Sequence, residues 1–207
     1  MGINAVLFDV DGVLIDAADW HFEAFNRALA PYGTPISRYE HAREYIGLTT
    51  DQKLARLVDY GRISAEDAPA IRASKHTHVS ETIRARCQPD AGRIGLLKSL
   101  TGQGLRLAAV SNASRSTVSE MLDLAHLSQY LSVVVAGGDV ARPKPNPDPY
   151  VHCALLLGVR PDECLAVEDG QYGFEAAMAA GMRVLHVAGP EDVTFEAISN
   201  VVAGSSK

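Results

Sequence analysis

The sequence predicts an α/β protein: a doubly wound parallel sheet flanked by helices, with an all-helical domain inserted after the first strand. Three observations carry this. Short apolar runs at 5–8, 105–110, 133–135, 165–167 and 184–187 have the length and composition of buried strands. From residue 105 onward they alternate with helical patterns, the signature of right-handed βαβ units. Between the first and second runs, residues 17–86 carry helical signals alone.

The first run leads into Val6-Leu-Phe-Asp9-Val-Asp11-Gly12, an apolar strand that ends in two acids and a glycine able to turn the chain. In the insertion, Trp20, Ala24 and Ala28, with Phe22, Phe25 and Leu29, give helical spacing before Gly33. Ser37-Arg-Tyr-Glu40 and Thr49-Thr-Asp-Gln52 are capping-box patterns, and Ser64 opens a further expected helix. An insertion of this size is too long for a loop. It is therefore expected to be a helical cap domain over 17–87, hinged near Asp16–Ala17 and near 86–92, on a core made of 1–16 and 88–207. Two adjoining domains create a cleft, and a mobile cap would exclude water from it. In the core, helices are expected at 115–124, capped by Ser114, and at 147–157 and 173–180, stopped by Gly158 and Gly181.

A chain of 207 residues can bury one sizeable core plus an accessory unit. Hydrophobic residues at 47% and charged residues at 21% describe a globular protein rather than a disordered one. The formal charge of −6, with no Lys/Arg run, gives no electrostatic basis for binding nucleic acid or an anionic membrane. An anionic substrate would need locally placed cations. Cys87, Cys153 and Cys164 are odd in number and lack metal-ligand spacing, which fits thiols in a reducing cytoplasm. No apolar segment reaches about 18 residues, so neither export nor membrane insertion is expected.

Four polar sites follow core strands. Asp9 and Asp11 crowd two anions at a strand end, which calls for a compensating cation. Hard oxygen ligands there suit Mg²⁺ together with a substrate phosphate. Ser111-Asn112-Ala-Ser114 offers a hydroxyl and backbone amides where a strand meets a helix, a natural anion site. Arg142-Pro-Lys144-Pro-Asn-Pro-Asp-Pro-Tyr150 holds a lysine in a proline-stiffened loop, and Glu168-Asp169-Gly170 ends another apolar run. Each has a plainer reading: an Asp-Gly turn, a helix cap, a solvated lysine, an acidic turn. Their joint order is harder to explain that way. Ligands of doubly wound sheets gather beyond the carboxyl ends of the strands, where all four sites would converge.

With these four motifs in this order, the chain resembles the haloacid dehalogenase superfamily of phosphohydrolases along nearly its full length. The helical insertion is similar to the cap of the subgroup that contains β-phosphoglucomutase, phosphoglycolate phosphatase and sugar phosphatases. Asp16-Ala-Ala-Asp-Trp-His21-Phe-Glu-Ala-Phe25 resembles the first cap segment of the β-phosphoglucomutase branch. The resemblance implies a Rossmannoid core and roles for each residue. Asp9 would be the nucleophile and Asp11 the general acid and base. Ser111 and the Asn112 amide would hold the phosphoryl oxygens, and Lys144 would offset charge. Mg²⁺ would be held by Asp9, Asp11 through its main-chain carbonyl, and Asp169, with Glu168 as ligand or support. His21 and Lys75 stand at cap positions similar to ones that face substrate, the plainer readings being a structural histidine and an exposed helix lysine. From its own place just after Ser111-Asn112-Ala-Ser114, Arg115 is a further candidate to reach a substrate anion.

Two departures bear on the activity. Gly47-Leu-Thr-Thr50 matches the cap loop in which β-phosphoglucomutase carries an arginine for its second phosphate, and this chain has Thr50 there. A Schiff-base lysine, as phosphonoacetaldehyde hydrolase would want in that loop, is also missing; Lys53 lies three residues on. Dehalogenases lack the second aspartate, so Asp11 argues against carbon–halogen chemistry. The expectation is a cytoplasmic Mg²⁺-dependent phosphatase acting on a small phosphorylated metabolite, a sugar phosphate foremost. A phosphomutase is the alternative enzyme, and a non-catalytic metabolite-binding or regulatory protein is the alternative of another class.

Overall fold

The computed structural model describes residues 2–204, and the chain divides into two compact units, one containing the segments up to Asp16 and from Gln88 onward, the other Ala17–Cys87. In chain order the elements are β1 (Ala5–Phe8), α1 (Ala18–Leu29), α2 (Arg38–Glu40) running into a π-type segment (His41–Tyr45), α3 (Thr50–Asp59) and α4 (Ala68–Arg86). Then follow α5 (Ala91–Gly102), β2 (Arg106–Ser114), α6 (Arg115–Leu124), β3 (Val133–Gly137), α7 (Asp148–Leu157), β4 (Cys164–Glu168), α8 (Gln171–Ala179), β5 (Arg183–His186) and α9 (Phe195–Ala203).

The first unit is built on a five-stranded sheet of order β3-β2-β1-β4-β5, parallel at every pairing. All four residues of β1 are inaccessible to solvent, as befits the middle strand of a parallel sheet covered on both faces. Leu7 lies opposite Ala108 on one side and Ala166 on the other. On its face of the sheet it joins a core with Val110, Val135, Tyr150, Cys153 and Ala176. Successive crossovers carry the chain from β2 to β3 on one side of β1, whereas β4 and β5 lie on the other. The carboxyl end of β1 is thus at the reversal of strand order, where such sheets open a crevice.

The five expected strands and three expected core helices form. Ser114 caps α6 by accepting from the Thr117 amide, and Gly158 stops α7 with φ of 67°. β2 runs further than expected, through Ser111 to Ser114, with a register shift against β3 between Val110 and Ser114. Helices α5 and α9 were not among the expected elements. α5 contains Gly92, Gly95 and Gly102, poor helix formers, yet an Asp90 cap (2.6 Å from the Arg93 amide) and burial of Leu96, Leu97 and Leu100 outweigh them. The three cysteines are buried thiols outside any disulfide, and burial pushes the Cys153 thiol up to about 12.

The second unit is helical throughout and has its own core of Phe25, Ala28, Leu29, Ile36, Tyr45, Leu54, Leu57 and Ile71. Asn26 ties the segment after α1 to it, exchanging hydrogen bonds of 2.9 and 2.8 Å with the main chain of Ile36. Thr49 and Gln52 form the expected reciprocal cap of α3. The helix expected from Ser64 instead starts at Ala68. Ser64 closes a turn on Asp67, its hydroxyl 2.6 Å from that carboxylate, and Pro69 sits in the first helical turn, where it costs no hydrogen bond. No helix of the described residues is long and apolar enough to cross a membrane.

Leu7→Ala removes a side chain from the middle of the sheet, where backbone pairing on both sides limits collapse around the void. Its expected cost is about 2–5 kcal/mol of unfolding free energy, to be measured by urea denaturation. A loss under about 1 kcal/mol would contradict the packing described.

Candidate active site

β1 ends at Phe8, and the Asp9 amide still pairs with the Val167 carbonyl at 3.0 Å, so Asp9 is aligned by the sheet itself. The chain then folds back, with the amides of Leu14 and Ile15 reaching the Val10 carbonyl at 3.0 and 2.9 Å. Gly12 takes φ of +84°, and a Cβ there would overlap the Asp169 carboxylate. Only glycine permits this approach of the turn to Asp169. The first and last motifs, far apart in sequence, meet here.

Lys144 joins them. Its Nζ donates to Asp9 Oδ1 at 2.7 Å, to Glu168 Oε1 at 2.6 Å and to the Val110 carbonyl at 2.7 Å. An ammonium has three protons, and all three are engaged. The side chain is 4% exposed and that of Glu168 2%. Burial alone would pull the lysine down, but Asp9 and Glu168 together outweigh it and hold its pKa above the ordinary value. Its main chain is fixed by Asn112, whose amide group donates to the Lys144 carbonyl and accepts from the Lys144 amide, both at 3.1 Å. The Asn112 side chain is therefore occupied in placing the lysine loop.

Ser111 is buried, and its hydroxyl accepts from the Ala113 amide at 3.0 Å. It lies in β2, three residues before the Ser114 cap of α6, at the strand-to-helix junction that the sequence pattern indicates. Arg115, expected to reach a substrate anion, is placed otherwise. Its guanidinium forms a two-pronged pair with Asp139 and also donates to the Val134 carbonyl at 3.0 Å. In the helical unit, His21 and Lys75 come together, Nζ lying 3.2 Å from Nδ1. A second such pair, Lys53 with His41 at 3.2 Å, went unnoticed in the sequence because its members sit on separate elements. Burial, then Lys53 and Arg38, push the His41 imidazole down to about 4. Tyr150 also escaped notice: its hydroxyl donates to Glu168 Oε1.

Carboxylate oxygens of Asp9, Glu168 and Asp169 lie within 4.8 Å of one another. Burial, opposed by Lys144 but reinforced by Glu168 and Asp11, holds the Asp9 carboxyl well above its ordinary range. Burial and the neighbouring Glu168 push Asp169 up to about 6. One ammonium does not balance these acids. The surplus of hard anionic oxygen fits a divalent cation; Lys144 engages Asp9 through Oδ1 and Glu168 through Oε1, one oxygen of each.

Fold and site together define a Rossmann-like enzyme with acids and a lysine clustered beyond the carboxyl ends of parallel strands. The chain belongs to the haloacid dehalogenase-like hydrolases, whose family pattern matches residues 6–187. A phosphoglycolate phosphatase (plasmid) of Cupriavidus necator is 36% identical over 182 residues, covering 87% of this chain and 79% of the relative. A fructose-1-phosphate phosphatase of Escherichia coli is 31% identical over 185 residues, covering 88% of this chain and 95% of the relative. The crystal structure of a β-phosphoglucomutase from Clostridium difficile superposes with a TM-score of 0.83 at 22% identity, covering 98% of each chain, a likeness of fold.

A pH dependence follows from Asp169. In the unfolded chain its carboxyl titrates near 4, whereas in the folded protein it does so at about 6. Between those values the folded state holds a proton that the unfolded state has released. In chelator-treated protein this residue therefore lowers stability as pH rises from about 4 to about 6, with no further change above. Asp169→Asn is expected to flatten that part of the profile in urea unfolding; an unchanged slope would contradict the assignment.

Proposed function

We propose that this hydrolase is a phosphoric monoester hydrolase that uses Mg²⁺ and an aspartyl-phosphate intermediate on Asp9, with a small phosphorylated metabolite, a sugar phosphate foremost, as substrate. The observation that carries this is the Lys144 ammonium bound to Asp9 at the reversal point of the sheet, with Glu168 and Asp169 beside it. The named phosphatase relatives support the same class.

In this reading an Asp9 carboxylate oxygen attacks phosphorus, and the bond to the leaving oxygen breaks as the aspartyl-phosphate forms. Asp11 gives its proton to the leaving alkoxide. It then takes one from the water that hydrolyses the aspartyl-phosphate, returning Asp9 as carboxylate. The Ser111 hydroxyl and the Asn112 main-chain amide hold phosphoryl oxygens. Lys144 keeps Asp9 oriented and offsets the repulsion between carboxylate and phosphate. Asp9, Asp169 and the Asp11 main-chain carbonyl would hold Mg²⁺, with Glu168 alongside. When bound, it supplies charge neutralisation of the phosphoryl group. The helical unit serves as the cap, with His21 and Lys75 as its substrate-recognising pair.

The test is phosphate release from p-nitrophenyl phosphate with Mg²⁺, abolished by chelation. Asp9→Asn is expected to lower turnover by about 10³-fold or more, since it removes both nucleophile and metal ligand. Relief of repulsion with the neighbouring acids should leave its thermal midpoint unchanged or higher. Near wild-type release by the purified variant would defeat the reading.

Thr50 distinguishes hydrolysis from mutase chemistry. A mutase must hold the far phosphate of a bisphosphate while it reorients, a task suited to a planar guanidinium fork. Supplied with β-glucose 1-phosphate, Mg²⁺ and catalytic glucose 1,6-bisphosphate, the protein is expected to release phosphate faster than it forms glucose 6-phosphate. The reverse partition would establish the mutase.

A further inference from the structure

We infer that Tyr150 is a positioning residue: its hydroxyl and ring together fix Glu168 on Lys144, and through Lys144 hold Asp9 in its reactive orientation. The inference rests on Asp9 as the nucleophile and concerns what keeps that nucleophile in place. Tyr150 has no solvent exposure and stands in the first turn of α7, on the segment that also supplies Lys144. Its hydroxyl donates to Glu168 Oε1, the same oxygen that accepts from Lys144 Nζ at 2.6 Å. Its ring lies beneath the same ammonium, with Nζ 5.1 Å from the centroid.

Phenylalanine would fill this core position as well as tyrosine does. A buried hydroxyl carries a desolvation cost, offset here by the charge-assisted bond to Glu168. That bond has a consequence for geometry. With two donors on Oε1, Glu168 is held toward Lys144, leaving Asp169 and Asp9 as the acids turned to a cation. Gly173 makes room for this arrangement, because a Cβ there would overlap the Glu168 carboxylate. Without the hydroxyl, Glu168 keeps one tether instead of two, and the lysine loses a fixed member of its acceptor triad. The cost should fall on turnover, which depends on Asp9 being aligned, more than on substrate affinity.

The experiment compares wild type, Tyr150→Phe, Glu168→Gln and the double variant with p-nitrophenyl phosphate and saturating Mg²⁺. Tyr150→Phe keeps the ring and is expected to lower kcat about tenfold with KM within about twofold, the scale of one charge-assisted hydrogen bond. In the Glu168→Gln background the same change should cost less than about twofold, because the group it acts through is already altered. Tyr150→Leu, which also removes the ring, should lose more turnover and some thermal stability. Wild-type kcat in Tyr150→Phe, or an equal fold-loss in both backgrounds, would overturn the inference. Glu168→Asp replaces Glu168→Gln as the background should the latter fail to fold. Failure of the proposed function would look different, as wild-type protein that releases no phosphate. Coupling would then be read from urea unfolding of the same four proteins, where additive effects would overturn the inference.

Discussion

The buried ammonium of Lys144 is the constraint on which the rest of the site depends. It takes one acceptor from each of three adjacent strands or their continuations: Asp9 just after β1, the Val110 carbonyl within β2 and Glu168 at the end of β4. A lone charge in that position would be strongly destabilising, and removing any acceptor leaves a desolvated donor. The sheet order β3-β2-β1-β4-β5 is what makes this possible, since it sets β1 between β2 and β4. Topology and electrostatics act together: the lysine can be buried because the three strands that supply its acceptors are neighbours.

The lysine reaches that point through a polar scaffold. Asn112 clamps its main chain with two hydrogen bonds, so the end of β2 positions the loop as well as supplying Ser111. Gly12 and Gly173 are the complementary omissions. Each leaves space that a methyl group would deny to a carboxylate, Asp169 in one case and Glu168 in the other. Burial, with the neighbouring acids, lifts both Asp9 and Asp169 above the ordinary carboxylate range.

The helical unit follows a different logic. Its apolar core, centred on Phe25, Tyr45, Leu54 and Leu57, gives it an independent basis for stability. Its polar chemistry is organised as two lysine–histidine pairs, Lys75 with His21 and Lys53 with His41. In each pair the lysine Nζ stands 3.2 Å from an imidazole nitrogen.

Much of this was legible in the sequence because it is locally encoded. Strand runs, the Ser114 and Thr49 caps and the Asp9-x-Asp11, Lys144 and Glu168-Asp169 motifs are patterns of neighbouring residues, and their order alone points to the family. Ser64 shows the limit of local signals: it closed a turn instead of opening a helix, since Pro69 favoured a start at Ala68. What tertiary structure alone decided are the partners. Arg115 meets Asp139, Asn112 meets Lys144, Lys53 meets His41, and Tyr150 meets Glu168. Each contact joins separate elements, so no periodicity records it. Local sequence sets which chemical groups stand near the strand ends; packing of distant segments sets which of them touch, because a hydrogen bond or ion pair depends on distance in space and not along the chain.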